Sequence, residues 1–275
     1  MALIARGLTR SFGKHTAVAH ADVTLTPGTV TGLVGPNGAG KTTLLLMLAG
    51  LLAPDSGTID PGSSTALRTT VGWMPDVFGT WDSLTASEIL CTFGRLYGLP
   101  RAESRTRAAE LLDSVHLGEF ADRPAHELSR GQKQRLGFAR ALVHRPTVLL
   151  LDEPASGMDP RSRVELRDHL RRLAGDGCAV LVSSHILTEL SEMIDDVIVM
   201  TDGRTRVTVP PSGHLWRIRE AGAPAASAVT RAFDSEEAAA RHLGELVGSG
   251  TLVAEFARVE TDLQDAYLAL DAERI

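Results

Sequence analysis

Apolar positions along the chain follow three rhythms. Leu3–Leu8 and Asp22–Thr26 are short runs that read as strands, the second closed by the turn pair Pro27-Gly28. Thr29–Val34 and Val71–Met74 read as short strands, and Thr147–Leu151 and Ala179–Ser183 are unbroken runs without alternation. Such runs predict parallel strands covered on both faces. Helical patterns lie between them. Thr42–Leu51 is almost wholly apolar, weakens at Gly50 and cannot pass Pro54. Thr85–Val115 reads as helical with a charged face, and Ser129–Val143 sets Leu136, Ala139 and Val143 at i, i+3 and i+7. Asp159 and Pro160 supply an N-cap and first-turn proline for a helix that carries Leu166, Leu170 and Leu173 to a stop at Gly175.

Strands alternating with helices predict an α/β fold. Val197–Thr201 and Arg204–Val209 flank Asp202-Gly203, a strong hairpin signal. Pro210-Pro211-Ser212-Gly213 then punctuates the chain, and an alanine-rich βαβα pattern follows: His214–Glu220, Ser235–Val247, Leu252–Glu260 and Thr261–Leu270. The expected division is a domain over 1–210, whose helical subdomain spans about 85–145, and a small α+β domain over 211–275.

The segment between the Thr29–Val34 strand and the Thr42–Leu51 helix carries the first candidate chemistry. Gly35-Pro36-Asn37-Gly38-Ala39-Gly40-Lys41-Thr42 matches G-x-x-x-x-G-K-[ST] at every required position. From this chain's own residue frequencies the motif is expected by chance about 0.004 times. The glycines let backbone N–H groups wrap an anion, and the following helix aims its positive end at the same point. Lys41 then reaches the β- and γ-phosphates of a nucleoside triphosphate, and the Thr42 hydroxyl serves Mg²⁺. Without that context, the segment is a glycine-rich turn with a solvated lysine.

A buried strand, Val148–Leu151, delivers Asp152 and Glu153 at its carboxyl end, where open α/β sheets place their ligands. Asp152 fits a Mg²⁺ role, and Glu153 fits a base for a water in line with the γ-phosphate. Taken alone, the pair is two solvated acids. Leu128-Ser129-Arg130-Gly131-Gln132 reads as a capping box, Ser129 with Gln132. It reads equally as a second phosphate site at a helix N-terminus, of most use against the nucleotide of another copy.

In this order the motifs resemble the ATP-binding subunit of an ABC transporter, over roughly residues 2–210. The resemblance rests on the phosphate loop Gly35–Thr43, the signature LSRGQ at 128–132, the acidic strand ending at Asp152-Glu153, the loop Ser156-Gly157-Met158-Asp159 and His185 in SSHIL. Phe12, in LTRSFG, matches the aromatic that stacks on adenine. The resemblance implies a P-loop NTPase core with an antiparallel β subdomain and a helical subdomain. It also implies a head-to-tail dimer holding two ATP molecules, each between the phosphate loop of one subunit and Ser129, Gly131 and Gln132 of the other. Asp159 is then at the interface, and His185 holds the γ-phosphate and attacking water. Taken alone, His185 is a structural histidine at a strand end.

Three positions depart from the family pattern; at one of them Phe12 stands in place of tyrosine, which keeps the stacking face and loses only a hydroxyl. Asp76 stands where glutamine is usual; a shorter, charged ligand to Mg²⁺ beside the phosphates is expected to weaken nucleotide affinity or make it more Mg²⁺-dependent. A plain strand end is the other reading. Arg130 replaces a glycine of the signature, and contact with the opposite nucleotide and a solvated side chain both remain open. Val77, Phe78, Trp81 and Leu84 bring apolar weight to a loop. They either cover a small core or, by the resemblance, line a groove that receives a cytoplasmic helix of an integral membrane permease. Arg163, Arg167 and Arg171, at i, i+4 and i+8, read as a solvated face or as a contact with anionic headgroups. Leu263-Gln264-Asp265-Ala266-Tyr267-Leu268 is similar to the tail of ABC-2-type exporter ATPases, and equally to an ordinary amphipathic helix.

Composition narrows the partners. The net charge of −6 over 275 residues is the wrong sign for a protein held on nucleic acid by a basic field. The longest aliphatic stretch, Leu44–Ala53, is about half of the roughly 20 residues a membrane-spanning helix needs. Arg6 and Arg10 interrupt what a signal peptide would keep apolar. Cys91 and Cys178 fit no metal or redox spacing. A cytoplasmic ATPase, peripheral on the inner face of the membrane, is the expectation: it hydrolyses ATP with Mg²⁺, dimerises and drives export through a separate permease. A regulatory or scaffolding ABC ATPase acting on a membrane protein complex is the alternative. One phosphate loop and no heptad run separate the chain from tandem translation ATPases and from chromosomal relatives with coiled coils.

Overall fold

A computed structural model describes residues 3–62, 67–77, 79, 81, 83–185, 190, 193–208, 214–222, 224, 228–233 and 235–258. The chain divides into two compact units, Met1–Thr208 and Val209–Ile275. At the centre of the first is a sheet of β3 (Val30–Val34), β5 (Val71–Met74), β6 (Val148–Leu151), β7 (Ala179–Ser184), β8 (Asp196–Thr201) and β9 (Arg204–Thr208), in the order β5-β6-β7-β3-β8-β9. All its neighbours pair in parallel except β8 and β9, which form the expected hairpin. Every residue of β3, β6 and β7 is buried, as unbroken apolar runs require.

A second, antiparallel sheet orders β2 (His15–Leu25), β1 (Leu3–Phe12) and β4 (Ser56–Asp60). Leu3, Leu8, Val18, Val23 and Leu25 from this sheet share one core with Leu44, Leu45, Met47 and Leu48 of α1 (Lys41–Leu48) and with Leu150, Leu181 and Ile198 of the central sheet. The hydrophobic seam therefore runs directly behind the glycine loop.

Several boundaries differ from the sequence expectation. The strand expected over Asp22–Thr26 starts at His15, because Ala17, Val18, Ala21, Val23 and Leu25 are buried along its full length. β4 carries no pattern of its own; Ile59 is its single partly buried residue, and the strand exists through pairing with β1. The helix expected over Thr85–Val115 is two, α3 (Ala86–Leu96) and α4 (Arg101–Ser114). Gly98 at φ +88° and Pro100 at the start of α4 break it. A short α2 (Leu67–Thr70) precedes β5. α5 (Arg130–Ala141) and α6 (Pro160–Gly175) begin where their caps predict.

In the second unit β10 (His214–Glu220) lies between β11 (Val229–Phe233) and β12 (Val253–Arg258), all antiparallel, with α7 (Glu236–Gly248) between β11 and β12 in the chain. The described order is therefore ββαβ. Trp216 of β10 meets Phe256 of β12 at 4.9 Å between rings, and Phe233 meets His242 of α7 at 5.2 Å. The helix expected over 261–270 and the tail at 263–268 lie outside the described residues, as does Phe78. Among the described residues no helix is long and apolar enough to cross a membrane.

Candidate active site

Gly35–Gly40 leaves β3 and turns tightly into α1. A Cβ on Gly35 would lie 2.1 Å from the Met200 carbonyl, and one on Gly40 would lie 2.2 Å from the Ala17 carbonyl. Neither backbone has room for a side chain, and Gly40 also sits at φ +101°. The hairpin tip holds the loop from behind: Gly203 N–H donates to the Ala39 carbonyl at 3.1 Å, and Ala19 N–H donates to the Gly203 carbonyl at 2.7 Å. Gly40 caps α1 without any side-chain acceptor, and its first turn holds no acidic residue. The helix thus presents uncompensated N–H groups and its positive end to the cleft.

The cleft holds about 200 Å³ and is lined by Asn37, Gly38, Gly40, Lys41, Thr42, Thr43, Asp76, Asp152 and Glu153. Lys41 folds back over its own loop, donating from Nζ to the Gly35 carbonyl at 2.7 Å and the Pro36 carbonyl at 3.2 Å. Its ammonium is 3.9 Å from Glu153 Oε1. Burial lowers the Lys41 pKa, opposed by the charges of Glu153 and Asp152. Thr42 Oγ1 donates to Asp152 Oδ2 at 2.7 Å, which ties the loop to the acidic strand.

The register of β6 against β7 sets the rest. Leu151 pairs with Val182, which places Ser183 beside Asp152. Ser183 Oγ donates to Asp152 Oδ1 at 2.6 Å and accepts from Glu153 N–H at 2.9 Å. This buried serine fixes both acids, and the sequence reading missed it; two polar residues ending an apolar strand just before His185 were its signal. Glu153 turns out of the strand at φ +49°, a left-handed conformation that is uncommon for a non-glycine residue. Its Oε2 lies 2.9 Å from His185 Nδ1. Burial raises the Glu153 pKa, opposed by the hydrogen bond and charge of His185 and by Lys41. The cleft thus combines anion-binding N–H groups, an ammonium and a half-buried carboxylate held by an imidazole.

The other candidate residues stand apart from this cleft. Ser129 is exposed and caps α5, accepting from Gln132 N–H at 3.2 Å while Gln132 Oε1 accepts from Ser129 N–H at 2.8 Å. The capping box is real, and it leaves Gly131 open: a Cβ there would meet nothing within 4 Å. Exposed Asp159 caps α6, accepting from the N–H groups of Arg161 and Ser162 and from the Ser162 hydroxyl. The Ser162 hydrogen bond leads in lowering its pKa. Phe12 is half exposed at the end of β1, with the Arg10 guanidinium 5.1 Å from its ring centre. Arg130 lies along its own chain: a Cβ on Gly157 would be 3.5 Å from Arg130 Cζ.

A model of the ABC transporter family matches residues 18–156. The chain belongs to the ABC transporter family. Its cassette is 47% identical over 193 residues to "Probable multidrug ABC transporter ATP-binding protein YbhF" of Escherichia coli K12, over 68% of this chain and 33% of that protein. It is 38% identical over 208 residues to "Nod factor export ATP-binding protein I" of Ralstonia nicotianae, over 74% of this chain and 65% of that protein. The chain thus spans a third of the first relative's length and just under two thirds of the second's. Among solved structures it resembles a dimeric ATP-binding cassette bound to ADP and Pi, with a TM-score of 0.68 and 25% identity over 75% of this chain and 98% of that one.

A second cavity of the cassette unit, about 270 Å³, opens between α2–β5, α3 and α5, lined by Trp73, Phe93, Tyr97, Arg68, Arg140 and His144 among others. Trp81 stacks on Phe93 at 5.6 Å, and Arg140 lies 5.1 Å from the centre of the same ring. Burial brings the Arg140 pKa down to about 10. Val77 is 76% exposed, so it covers no core, while Trp81 is half exposed. On α6, Arg167 pairs with Asp168 and Arg171 with Asp195.

Proposed function

We propose that the chain is the ATP-hydrolysing subunit of an exporter, closing head to tail on a second copy to drive a separate membrane permease. One observation carries this reading. Lys41, Thr42, Asp152, Glu153 and His185 converge on one cleft, while exposed Ser129 and Asp159 and partly buried Gly131 do not line it. A site split in this way is completed by a second molecule, whose open Gly131 and helix-capping Ser129 approach the γ-phosphate.

In this mechanism Glu153 takes the proton of a water as its oxygen attacks the γ-phosphorus; the bond from that phosphorus to the β,γ-bridging oxygen breaks, and ADP leaves. His185 holds the Glu153 carboxylate through Oε2. Lys41 gives up its carbonyl contacts for the phosphates, and the N–H groups of 36–41 share the developing charge. Phe12 stacks on the adenine, its other face steadied by Arg10. Thr42, Asp152 and Asp76 fit Mg²⁺, a hard cation that takes few protein oxygens and completes its shell with water and phosphate. The ion would neutralise phosphate charge.

The aromatic cavity beside Trp81, with Arg68 and Arg140 in its wall, suits a short helix of the permease. Export is favoured by the multidrug and Nod factor export names of the two relatives. The reading places the chain on the cytoplasmic face of the membrane. Tagged Glu153→Gln protein purified with ATP and Mg²⁺ from solubilised membranes of its source tests it. A stoichiometric multi-span permease is the expected companion; recovery of soluble or envelope-assembly proteins alone would favour a regulatory ATPase.

A further inference from the structure

Gln134 is a buried polar side chain that the mechanism leaves unused. It is 4% exposed, one helical turn beyond Arg130 on the same face of α5. Its Nε2 donates to the Ser156 carbonyl at 2.9 Å, and its Oε1 is buried without a partner among the described residues. A buried amide that makes a single bond concentrates its polar anchoring at that bond. Arg130 lies beside the same segment. Its guanidinium runs along Gly157, where φ is +70° and a Cβ would sit 3.5 to 3.8 Å from three of its atoms. Both contacts fall on the loop 156–159. That loop begins where Ser156 N–H closes a turn on the Glu153 carbonyl at 3.1 Å and ends at Asp159, the cap of α6.

A continuous line of contacts follows: Glu153, one turn of chain, Ser156, Gln134, one turn of helix, Ser129. One end lies in the cleft of its own copy; the other is the exposed end offered to the nucleotide of the second copy. We propose that Gln134, assisted by Arg130, is a positioning residue that makes the signature helix and the 156–159 loop one body, so that the state of Glu153 in one site is felt at Ser129 in the other. Arg130 acts here within its own chain, on Gly157. This inference rests on the head-to-tail reading and adds to it a residue that couples the two sites.

The test uses the full chain with Gln134→Met, which keeps length and removes the donor, and Gln134→Glu, which keeps shape and removes it. Monomer affinity is read with trinitrophenyl-ATP at protein concentrations below dimerisation, dimer affinity by ultracentrifugation with ATP in a Glu153→Gln background, and kcat and the Hill coefficient with Glu153 intact. Both variants should keep the monomer's nucleotide affinity, weaken the dimer about tenfold and bring the Hill coefficient down toward about 1. Native dimer affinity and cooperativity in the two variants would overturn the coupling role alone. Monomer nucleotide affinity lost in step with dimerisation would assign Gln134 to the fold instead. A Glu153→Gln parent that never dimerises removes the head-to-tail reading itself, and the coupling with it.

Discussion

Glu153 combines a left-handed backbone, a half-buried carboxylate and an imidazole partner at 2.9 Å. As the proposed general base it must be deprotonated to work, and burial holds its pKa above the ordinary carboxylate range. Hydrolysis should therefore fall as pH drops through that raised pKa. His185 opposes the shift, so His185→Ala should move the acid limb of kcat/KM to higher pH, read in a pH–rate profile. Glu153→Gln should lower kcat about 10² to 10⁴-fold with ATP binding retained. Asp76 lies in the wall of the same cleft. Asp76→Gln removes a negative charge beside the phosphates and should tighten ATP binding or flatten its Mg²⁺ dependence; titrations matching the parent at every Mg²⁺ concentration would reject this. Lys41, Thr42, Asp152 and Glu153 were legible as types at a spacing. Ser183 was not, because its role comes from lying beside Asp152 across two parallel strands.

Caps and breakers set the elements. Ser129 and Asp159 start α5 and α6 where their sequence signals predict, because N-cap chemistry is local. Removing the Ser129 cap by Ser129→Ala should destabilise the protein by about 1 kcal/mol in denaturant melts, with the loss in ATP-dependent dimerisation exceeding what that change explains. Gly40 is stricter. The Ala17 carbonyl occupies the space a methyl group would need, so Gly40→Ala should lower the melting temperature and abolish trinitrophenyl-ATP binding. β4 shows the opposite case: it has almost no apolar content, and its pairing with β1 decides it. The split of the 85–115 pattern is different again. Gly98 and Pro100 were visible, yet amphipathic rhythm on both sides masked the break.

At the scale of the molecule, the phosphate loop belongs entirely to the unit Met1–Thr208. Calorimetry of the full chain should therefore show ATP raising the transition of that unit alone, by about 2.7 kcal/mol of added stability at a hundred times Kd. A second transition that moves equally would mean that the smaller unit shares the nucleotide site. The cavity beside Trp81 is the other feature at this scale, formed by residues of α2, β5, α3 and α5 and of the segments next to them. Trp81→Ala removes the ring stacked on Phe93 and should reduce recovery of the protein with source membranes, the ATP Kd reading the phosphate loop separately.

The sequence by itself determined the chemistry that depends on neighbours along the chain: the glycine loop, the caps, the two acids ending a buried strand and the family they announce together. Each is short-range, because hydrogen bonds to one's own backbone and the period of burial are written within a few residues. Only the tertiary structure decided what depends on register and approach. It set Ser183 against Asp152, the hairpin at Gly203 behind Ala39, Arg130 along Gly157 and Gln134 on Ser156. These pairs are joined through strand pairing and helix packing across up to 164 positions of chain, as from Ala39 to Gly203, and no local pattern encodes which partner will arrive.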